Sequence, residues 1–489
     1  MLATPVMKYA AHQQLIDRVR AQFGERAVIT DAADIAPWVT DWRGRFQGRT
    51  AAILAPADCD SVAAMVGMAH AMGVALVPQG GNTSMVGGAT PPADGSALIL
   101  STRRLNHIRT IAPEAGLAVA EAGVILSTLH DAVNERKLRF PLTLGAKGSA
   151  TIGGLVSTNA GGTQVLRWGT MRKLVAGVEA VLPDGSVHNG LAALKKDNRG
   201  YDIDQLLIGA EGTIGIVTAA ALRLAPAIHA RAVAWVGVAS PHRALDLLRQ
   251  MELRTDAIES FEIVPASGLA HVIHHIPDTR APLSGTHPWH LLIEAVSSTA
   301  DGEAPAALLE RLLADAFSAR LIEDATIAGS EAQADALWRI RDSLSEAERA
   351  QGPAVQHDIS VPVDRMPDFL IDASAAAMAR YPGTQATGFG HLGDGNVHFH
   401  VRAPHGVDPD EWYAHAAPEI TRFVHDLVVA AGGSISAEHG IGQMKREELA
   451  RLGPPSRLAA LTAIKRAFDP SNLMNPGKLV TLAPLACDQ

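Results

Sequence analysis

The sequence predicts an α+β protein with more than one domain. Three observations support this fold class: a chain of 489 residues, a strand–helix–strand pattern near residues 51–77, and a long alternation of strands and helices after Pro226. At roughly 100–200 residues per domain, the length allows two or three hydrophobic cores. The first pattern favours parallel strands, and the second favours an antiparallel sheet covered by helices.

The N-terminal half contains the shorter elements. Residues 11–23 have the spacing of an amphipathic helix, and residues 30–48 connect this helix to the first strand. Strand, helix and strand are then predicted at 51–54, 61–72 and 74–77, a unit whose crossover is normally right-handed and parallel. Further strands are predicted at 97–101, 116–121, 174–182 and 214–224, and a helix at 125–137.

The alternation of strands and helices continues from residue 230 to residue 430. The predicted strands are 231–238, 258–263, 290–296, 320–327, 355–361, 386–391 and 397–402. The predicted helices are 241–252, 303–317, 331–349, 364–380 and 410–430, with a last helix near 456–468. We therefore divide the chain into an N-terminal helical segment (1–48), a first domain (49–226), a second domain (227–430) and a C-terminal segment (431–489).

Composition argues against several classes of protein. A formal net charge of −9 is unlike that of a nucleic-acid-binding protein. The two cysteines, Cys59 and Cys487, form no disulfide framework, which fits a reducing compartment. The N-terminus lacks the apolar segment of a signal peptide, and no apolar run reaches the roughly 18 residues of a membrane-spanning helix. We expect a cytoplasmic protein without a transmembrane segment, and leave peripheral membrane association open.

Three glycine-rich segments lie in the first domain, at residues 78–88, 145–162 and 209–217. Glycine removes the Cβ barrier to positive φ and lets backbone N–H groups approach an anion. The first segment follows a strand and carries the hydroxyls of Thr83 and Ser84, so it can bind a pyrophosphate. An ordinary tight loop is the alternative. The other two segments allow backbone to lie flat against a planar ligand.

A GxGxxG match occurs outside these segments, from Gly388 to Gly393. The dinucleotide fingerprint requires a helix N-terminus at the phosphate, and the residues that follow Gly393 favour a strand. We therefore reject this match as a dinucleotide site. The glycine segments of the first domain also lack the GKS or GKT of a P-loop.

Histidines cluster in GHLGDGNVHFHV, residues 390–401. Two β-prone runs flank the turn-forming residues 393–396, which predicts a hairpin. If the hairpin closes symmetrically there, His391 and His398 are cross-strand partners with Cβ atoms about 5 Å apart, and His400 shares their face. Imidazoles on one face indicate a divalent-metal site, to which Glu438 and His439 can add a carboxylate and an imidazole. The alternative is a group of surface or hydrogen-bonded histidines.

Six motifs in order carry a family resemblance. They are PQGGNTSMVGG (78–88), GGLVSTNAGGTQVLRWGTMR (153–172), GAEGTIGIVT (209–218), GHLGDGNVHFH (390–400), SAEHGIG (436–442) and NPGK (475–478). Together they resemble the FAD-dependent D-2-hydroxyacid dehydrogenases, whose FAD-binding domain is of the vanillyl-alcohol oxidase type. The resemblance spans about residues 50–480. It implies that the first domain binds FAD, that the second is a substrate (cap) domain, and that the C-terminal segment completes the active site.

The resemblance also implies a set of cofactor-binding residues. The first glycine loop would hold the FAD pyrophosphate, residues 141–162 the ribityl chain and isoalloxazine, and residues 211–216 the adenine or dinucleotide backbone. The implied residues are Pro78, Gln79, Gly80, Gly81, Asn82, Thr83, Ser84, Gly87, Gly88, Pro141, Gly145, Ser149, Ile152, Gly154, Asn159, Gly162, Glu211, Gly215, Ile216 and Asn475. The pyrophosphate loop contains no histidine for covalent attachment, so we expect noncovalent FAD.

A metal and substrate site follows from the same resemblance. His391, His398 and Glu438 would bind Zn²⁺ or another divalent cation and leave a fourth position open. His439 would be the catalytic base, and Arg341 would bind a substrate carboxylate through its guanidinium group. Further implied substrate-side residues are Ser345, Gln356 and His400.

Two departures from the family concern the substrate. Within the family the motifs most resemble those of the D-2-hydroxyglutarate dehydrogenases. Gln356 stands where relatives often carry a substrate-binding lysine, and His400 stands where the hydroxyglutarate enzymes have asparagine. The loss of a cation weakens the expectation of a second substrate carboxylate. D-Lactate and glycolate are therefore alternatives to D-2-hydroxyglutarate.

The implied reaction is oxidation of a D-2-hydroxy acid to the 2-oxo acid. The metal would chelate the substrate and lower the pKa of its hydroxyl, His439 would accept the proton, and hydride would pass to flavin N5. Reduced FAD would pass electrons to an acceptor such as electron-transfer flavoprotein or a quinone, and we expect a homodimer. The alternatives are an oxidase that uses O₂ and a flavin-binding electron-transfer subunit without substrate oxidation.

Overall fold

The structure, a computed structural model, describes residues 5–482, with side chains described from residue 10 onward. Residues 1–4 of the predicted N-terminal segment, and residues 483–489 with Cys487, lie outside the described residues. Within residues 5–482, no helix combines the length and apolar character needed to cross a membrane.

The strands and helices are numbered in chain order. The strands are β1 (Val28–Ile29), β2 (Ile53–Leu54), β3 (Ala75–Gln79), β4 (Ala97–Ser101), β5 (Ile108–Ala112), β6 (Leu117–Glu121), β7 (Leu138–Arg139), β8 (Val175–Val181), β9 (Val187–Asn189), β10 (Ile216–Arg223), β11 (Ala225–Pro226), β12 (Ala230–Val238), β13 (Ile258–Pro265), β14 (Trp289–Ser297), β15 (Asp324–Ile327), β16 (Ala354–Ser360), β17 (Gln385–His391) and β18 (Asn396–Arg402). The helices are α1 (Pro5–Phe23), α2 (Ala32–Ile35), α3 (Cys59–Ala71), α4 (Leu126–Asn134), α5 (Ile152–Thr158), α6 (Val165–Trp168), α7 (Met171–Leu174), α8 (Ile203–Leu207), α9 (Pro241–Glu252), α10 (Ala266–His275), α11 (Pro305–Ser318), α12 (Glu331–Asp342), α13 (Leu344–Ala350), α14 (Met366–Arg380), α15 (Pro409–Glu411), α16 (Ala417–Ala430), α17 (Arg446–Leu452) and α18 (Pro455–Phe468).

The chain divides into two compact units. The first unit comprises Met1–Gly162, Gly169–Pro226 and Glu438–Gln489. The second comprises Thr163–Trp168 and Ala227–Ala437. Each unit has hydrophobic clusters of its own.

The first unit contains a four-stranded sheet of order β1-β2-β4-β3 and a five-stranded sheet of order β5-β6-β10-β8-β9. Both β2 and β3 run parallel to β4, so the predicted strand–helix–strand unit is parallel as expected. Its two strands are not neighbours, however, because β4 lies between them. The five-stranded sheet is antiparallel throughout and includes β5, which the sequence pattern did not predict.

Helix α3 shows why the predicted periodicity was reliable in this unit. Its N-terminus is fixed by a capping box between Asp58 and Ser61, which satisfies backbone donors that the first turn leaves free. Its buried residues Val62, Met65, Val66 and Ala69 recur at helical spacing and pack into a core with β3 and β4.

The second unit contains a seven-stranded antiparallel sheet of order β15-β12-β14-β13-β17-β18-β16. Apolar residues of α9, α11, α14 and α16 form one hydrophobic cluster with this sheet, and those of α10, α12 and α13 form another. The predicted antiparallel sheet covered by helices is thus confirmed. Two details were wrong: the predicted helix 331–349 is interrupted at Ser343 to give α12 and α13, and α10 was not predicted.

Candidate active site

The histidine hairpin forms, but its register differs from the symmetric prediction. His391 pairs with Asn396, and His398 pairs with Phe389. The reason lies in the loop 392–395, where the N–H groups of Asp394 and Gly395 both donate to the carbonyl oxygen of His391. His391 and His398 are therefore diagonal neighbours rather than cross-strand partners, and side-chain alternation still puts them on the same face. Their ring centroids are 5.6 Å apart.

The face that carries the histidines is set by alternation along β18. Val397, Phe399 and Val401 point into the cluster formed with α9, α11, α14 and α16. His398 and His400 point the other way, where Phe389 lies against both imidazoles, with centroid distances of 5.4 and 5.1 Å. The predicted sharing of one face by His398 and His400 is confirmed. Phe389 thus contacts both rings, a role that the sequence reasoning did not indicate.

Glu262 is the main residue of this site that the sequence reasoning missed. It lies on β13 directly opposite His391 of β17, with its side chain almost fully buried. The Nδ1–H of His391 donates to Glu262 Oε1 at 2.6 Å, and Nε of Arg341 donates to Glu262 Oε2 at 2.8 Å. The only available signal was a pair of glutamates, Glu259 and Glu262, within one predicted strand, and neither can be assigned a partner from sequence.

The charges of this cluster shift two pKa values. Burial alone favours the neutral acid, yet the Arg341 guanidinium and the His391 ring hold the pKa of Glu262 below its usual value. Burial, together with the positive charge of Arg341 and the neighbouring His391, holds the pKa of His398 well below its usual value. His398 is therefore a neutral imidazole near neutral pH, which is the form that binds a metal.

The predicted substrate-side residues occupy three elements of the second unit. Arg341 is buried in the last turn of α12, and its Nη2 lies 3.3 Å from His391 Nε2. Ser345 is half-buried in α13, just after the interruption at Ser343. Gln356 lies on β16 directly opposite the buried His400 of β18. The second unit thus brings Arg341 to the histidine face and pairs Gln356 with His400.

The first glycine loop, 80–88, leaves the carboxyl end of β3 in the first unit. Gly80 and Gly81 pack so closely that a Cβ on either would lie 2.2 Å from Thr151 Oγ1 or 2.0 Å from the Ser149 carbonyl oxygen. Asn82 has φ 56° and donates from Nδ2 to the Thr40 carbonyl. The start of the loop therefore packs against residues 149–151 at a distance that only glycine permits at these two positions.

Two polar side chains, one in β3 and one in the loop, stabilise the loop through hydrogen bonds to its backbone or to neighbouring backbone. Gln79 donates from Nε2 to the carbonyl oxygens of Trp38 and Ala89, and Ser84 Oγ accepts from the N–H groups of Val86 and Gly88. Of the other predicted cofactor-binding residues, Pro78 lies in β3, and Thr83, Gly87 and Gly88 lie in the loop.

The second glycine segment is arranged around α5. Ile152 and Gly154 lie within this helix, and Asn159 caps its end with φ 50° and accepts the Arg172 N–H through Oδ1. Gly162 packs against the Thr143 carbonyl, where a Cβ would lie 2.2 Å away. Gly145 and Ser149 are exposed, and Pro141 is buried. This segment therefore combines an exposed turn with a tightly packed one.

Glu211 has a structural role in the first unit. Its buried carboxylate accepts the N–H groups of Ile441 and Gly442, both at 2.7 Å, and so fixes the turn that follows Glu438 and His439. Burial raises the pKa of Glu211 despite these bonds. The neighbouring Gly215 and Ile216 lead into β10, where Ile216 joins the core of β3 and β4.

The NPGK motif is joined to Glu211 and to the first glycine loop by hydrogen bonds. Asn475 donates from Nδ2 to the carbonyls of Gly88 and Glu211, which ties the motif to the first glycine loop. Lys478 is 2 % exposed. Burial, with the positive charge of Arg446, lowers the pKa of Lys478 to about 8, although Glu211 partly offsets this.

Two buried polar atoms beside the loop fit a bound cofactor. Thr151 Oγ1 and Asn475 Oδ1 lack hydrogen-bond partners among the described residues. Buried polar atoms are rarely left without partners, so a polar ligand that lies along the loop would satisfy them. The ribityl and phosphate groups of FAD offer both donors and acceptors, and the residues present therefore fit this cofactor.

Two family models match the chain. The model described as FAD binding domain matches residues 50–190, and the model described as FAD linked oxidases, C-terminal domain, matches residues 228–479. The chain belongs to the FAD-linked oxidase family. It is accordingly an FAD-dependent oxidoreductase, and the resemblance drawn from the six motifs is confirmed.

Curated relatives cover nearly the whole of this FAD-linked oxidase. Mitochondrial D-2-hydroxyglutarate dehydrogenase of Bos taurus is 35% identical over 458 residues, which are 93% of this chain and 81% of the relative. D-2-Hydroxyglutarate dehydrogenase of Xanthomonas citri pv. viticola is 35% identical over 454 residues, which are 92% of this chain and 93% of the relative.

Solved structures confirm the fold class. The structure of p-cresol methylhydroxylase with substrate bound has a TM-score of 0.74 at 16% identity and covers 96% of both chains. The structure of 4-ethylphenol oxidase from Gulosibacter chungangensis has a TM-score of 0.68 at 19% identity and covers 98% of both chains. The FAD-linked oxidase therefore has the predicted vanillyl-alcohol oxidase-type fold.

Proposed function

We propose that this FAD-linked oxidase is a dehydrogenase that converts a D-2-hydroxy acid, with D-2-hydroxyglutarate as the first candidate, to the 2-oxo acid. The observation that carries the proposal is the group formed by His391, His398, Glu262 and Arg341 in the second unit. The two imidazoles can bind a metal ion, and the guanidinium group beside them can bind the carboxylate of a substrate that chelates this metal. The names of the curated relatives support the same substrate class.

His391 and His398 are suited to hold a divalent cation such as Zn²⁺. A carboxylate accepts hydrogen bonds, so Glu262 places the proton of His391 on Nδ1, and the lone pair is then on Nε2. In this structure Arg341 Nη2 lies 3.3 Å from Nε2, and a bound cation would take its place at that lone pair. Two neutral imidazoles on one face are typical zinc ligands. We propose Glu438 as the third ligand; it follows Ala437, the last residue of the second unit. The bound metal would polarise the substrate hydroxyl.

FAD would occupy the first glycine loop through its pyrophosphate. The backbone of Gly80–Ser84 offers N–H donors, and Thr151 and Asn475 offer side-chain partners. Lys478, which is buried in the same unit, would supply a positive charge to this anion. When bound, FAD would take up the hydride that leaves the substrate carbon.

Side chains of the protein would bind the substrate and accept its proton. Arg341 would bind the substrate carboxylate through the guanidinium edge that Glu262 does not use. His439 would accept the hydroxyl proton. Its backbone position is set by the turn that Glu211 holds two residues later. Reduced flavin would be reoxidised by an electron acceptor of the electron-transfer flavoprotein or quinone class.

Gln356 favours a second candidate substrate. The side chain lies opposite His400, and neither residue supplies the fixed cation that a distal carboxylate needs. D-Lactate and glycolate lack that carboxylate. D-2-Hydroxyglutarate would therefore require a cation near residue 356, whereas D-lactate and glycolate would not.

The test is anaerobic reduction of the bound flavin. D-2-Hydroxyglutarate, its L-enantiomer, D-lactate and glycolate are each mixed with the purified protein, and loss of flavin absorbance is followed in a single turnover. We expect rapid bleaching by a D-2-hydroxy acid, loss of bleaching after metal chelation, and recovery on adding Zn²⁺. His391→Ala is expected to behave like the chelated protein. His242→Ala, an exposed histidine on α9, serves as the control.

Three results would contradict parts of the proposal. Flavin that dithionite reduces but no 2-hydroxy acid bleaches would favour an electron-transfer subunit. Bleaching that is unchanged in protein shown to hold no metal would remove the metal from the reaction. Release of H₂O₂ during aerobic turnover would instead identify an oxidase.

A further inference from the structure

Glu262 connects two side chains to which the proposed function gives different tasks. Its two carboxylate oxygens are used separately, Oε1 by His391 at 2.6 Å and Oε2 by Arg341 at 2.8 Å. The side chain is almost fully buried, so water cannot replace either bond. One carboxylate therefore fixes the orientation of a metal-ligating ring and of a substrate-binding guanidinium together.

The backbone makes this arrangement rigid. Glu262 and His391 are cross-strand partners in the β13–β17 pair, and Arg341 approaches from the last turn of α12. Three separate elements of the second unit thus meet at one carboxylate. The ion pair also has a neutralising role, because two cationic or potentially cationic groups, Arg341 and His391, lie 3.3 Å apart at their nearest nitrogen atoms.

We propose that Glu262 is a positioning residue that couples metal affinity to binding of the substrate carboxylate. The inference rests on the proposed function, in which His391 binds the metal and Arg341 binds the substrate. Without the Glu262 carboxylate, His391 loses the acceptor that selects its Nδ1–H tautomer. Arg341 loses the carboxylate that holds its guanidinium plane and that neutralises its charge beside His391.

Glu259 provides a matched control within the same strand. It is also buried on β13 and also contacts an arginine, with Oε2 accepting from Arg167 Nη1 at 3.4 Å and from Trp168 Nε1 at 3.3 Å. These partners are not among the residues of the proposed site. A general effect of removing a buried glutamate from β13 should therefore appear in both variants, whereas a positioning effect should appear only at Glu262.

The experiment compares Glu262→Gln, Glu262→Asp and Glu259→Gln with the wild-type holoenzyme. Zn²⁺ affinity is measured without substrate, by competition with a chromogenic chelator, and KM and kcat are measured for the substrate found by flavin reduction. Flavin content and thermal midpoint report folding. For Glu262→Gln we expect Zn²⁺ affinity to fall about 10- to 100-fold, in the range for removal of a partner behind a metal ligand, and KM to rise in parallel. Glu262→Asp retains the negative charge, so its Zn²⁺ affinity and KM should lie between those of Glu262→Gln and the wild type.

The outcomes separate the inference from the function on which it rests. If wild-type protein binds no Zn²⁺ and no 2-hydroxy acid bleaches its flavin, the proposed function fails. If wild-type protein does both and folded Glu262→Gln keeps its Zn²⁺ affinity and KM, the positioning role alone is wrong. Equal losses in Glu259→Gln and Glu262→Gln would show a structural effect and would also overturn it. Should Glu262→Gln lose its flavin or fail to fold, the comparison rests on Glu262→Asp, where unchanged affinity and KM contradict the role.

Discussion

Gly81 and Ser149 pack backbone against backbone, so that a Cβ atom on Gly81 would lie 2.0 Å from the Ser149 carbonyl oxygen. Gly81→Ala must therefore displace the segment that also carries Thr151, at a cost of about 1–3 kcal/mol of overpacking. We expect weaker FAD binding, measured by flavin release and by titration of the apoprotein. Gly148→Ala is the control, because a Cβ there meets nothing within 4 Å. Equal FAD affinity in the two variants would contradict the role of this contact.

Glu211→Gln tests whether Glu211 acts on the structure or on the cofactor. The amide has one oxygen to offer to the N–H groups of Ile441 and Gly442, and each buried N–H left without an acceptor costs about 1–3 kcal/mol. We expect a lower thermal midpoint in both the apoprotein and the FAD-bound protein. Glu114→Gln, at an exposed position, should leave it unchanged. An unchanged midpoint with weaker FAD binding would instead indicate direct contact with the cofactor.

The lowered pKa of Lys478 predicts that FAD binding depends on pH. Its pKa in the unliganded protein is about 8, lowered by burial and by Arg446 and partly restored by Glu211. A bound pyrophosphate favours the charged form and raises this pKa, so binding takes up a proton above pH 8. FAD affinity should thus be constant below this pH and should fall as the pH rises through it, approaching tenfold per unit.

Lys478→Met isolates this effect. The variant retains an unbranched apolar side chain of similar length and cannot be charged. We expect its FAD affinity to be weaker than that of the wild type below pH 8 and to vary less between pH 7 and pH 9. Fluorescence titration of the apoprotein with FAD measures both. A variant with the wild-type pH profile would show that another group takes up the proton.

Gln356→Lys tests the assignment of the substrate. The added ammonium would face the histidine-bearing side of the sheet beside His400 and offer a charge-assisted bond to a distal carboxylate. Because such a bond contributes about 1.5–3 kcal/mol, KM for D-2-hydroxyglutarate should fall by about tenfold or more, while KM for D-lactate should not. Gln385→Lys, exposed at the start of β17, controls for added charge. Equal effects on the two substrates would place Gln356 away from the distal carboxylate.

The strands of the second unit could largely be predicted, because each alternates or runs apolar between clear turn residues. The helix break at Ser343 could not, since the residues on both sides of it are good helix formers. β5 was missed because its half-exposed residues, with Arg109 among them, lack a continuous apolar pattern. The insertion of β4 between β2 and β3 depends on strand order, which local sequence does not specify.

The histidine hairpin shows the same limit at the site itself. Residues 393–396 predict a turn but permit more than one register, and two backbone hydrogen bonds to the His391 carbonyl select the one observed. The prediction that His391 and His398 share one face was nevertheless correct, because a shift of two residues in the register preserves side-chain alternation.

The sequence by itself determined the family, the glycine loops, the histidine-rich hairpin and the two strand–helix patterns, all of which depend on residue type and spacing over short distances. The tertiary structure alone decided which side chains meet. Glu262 and His391 are 129 residues apart, and their 2.6 Å bond exists only because β13 and β17 are neighbours in the sheet. Glu211 and Gly442 are likewise joined across 231 residues. Pairing over such distances is set by the packing of whole elements, and no local pattern encodes it.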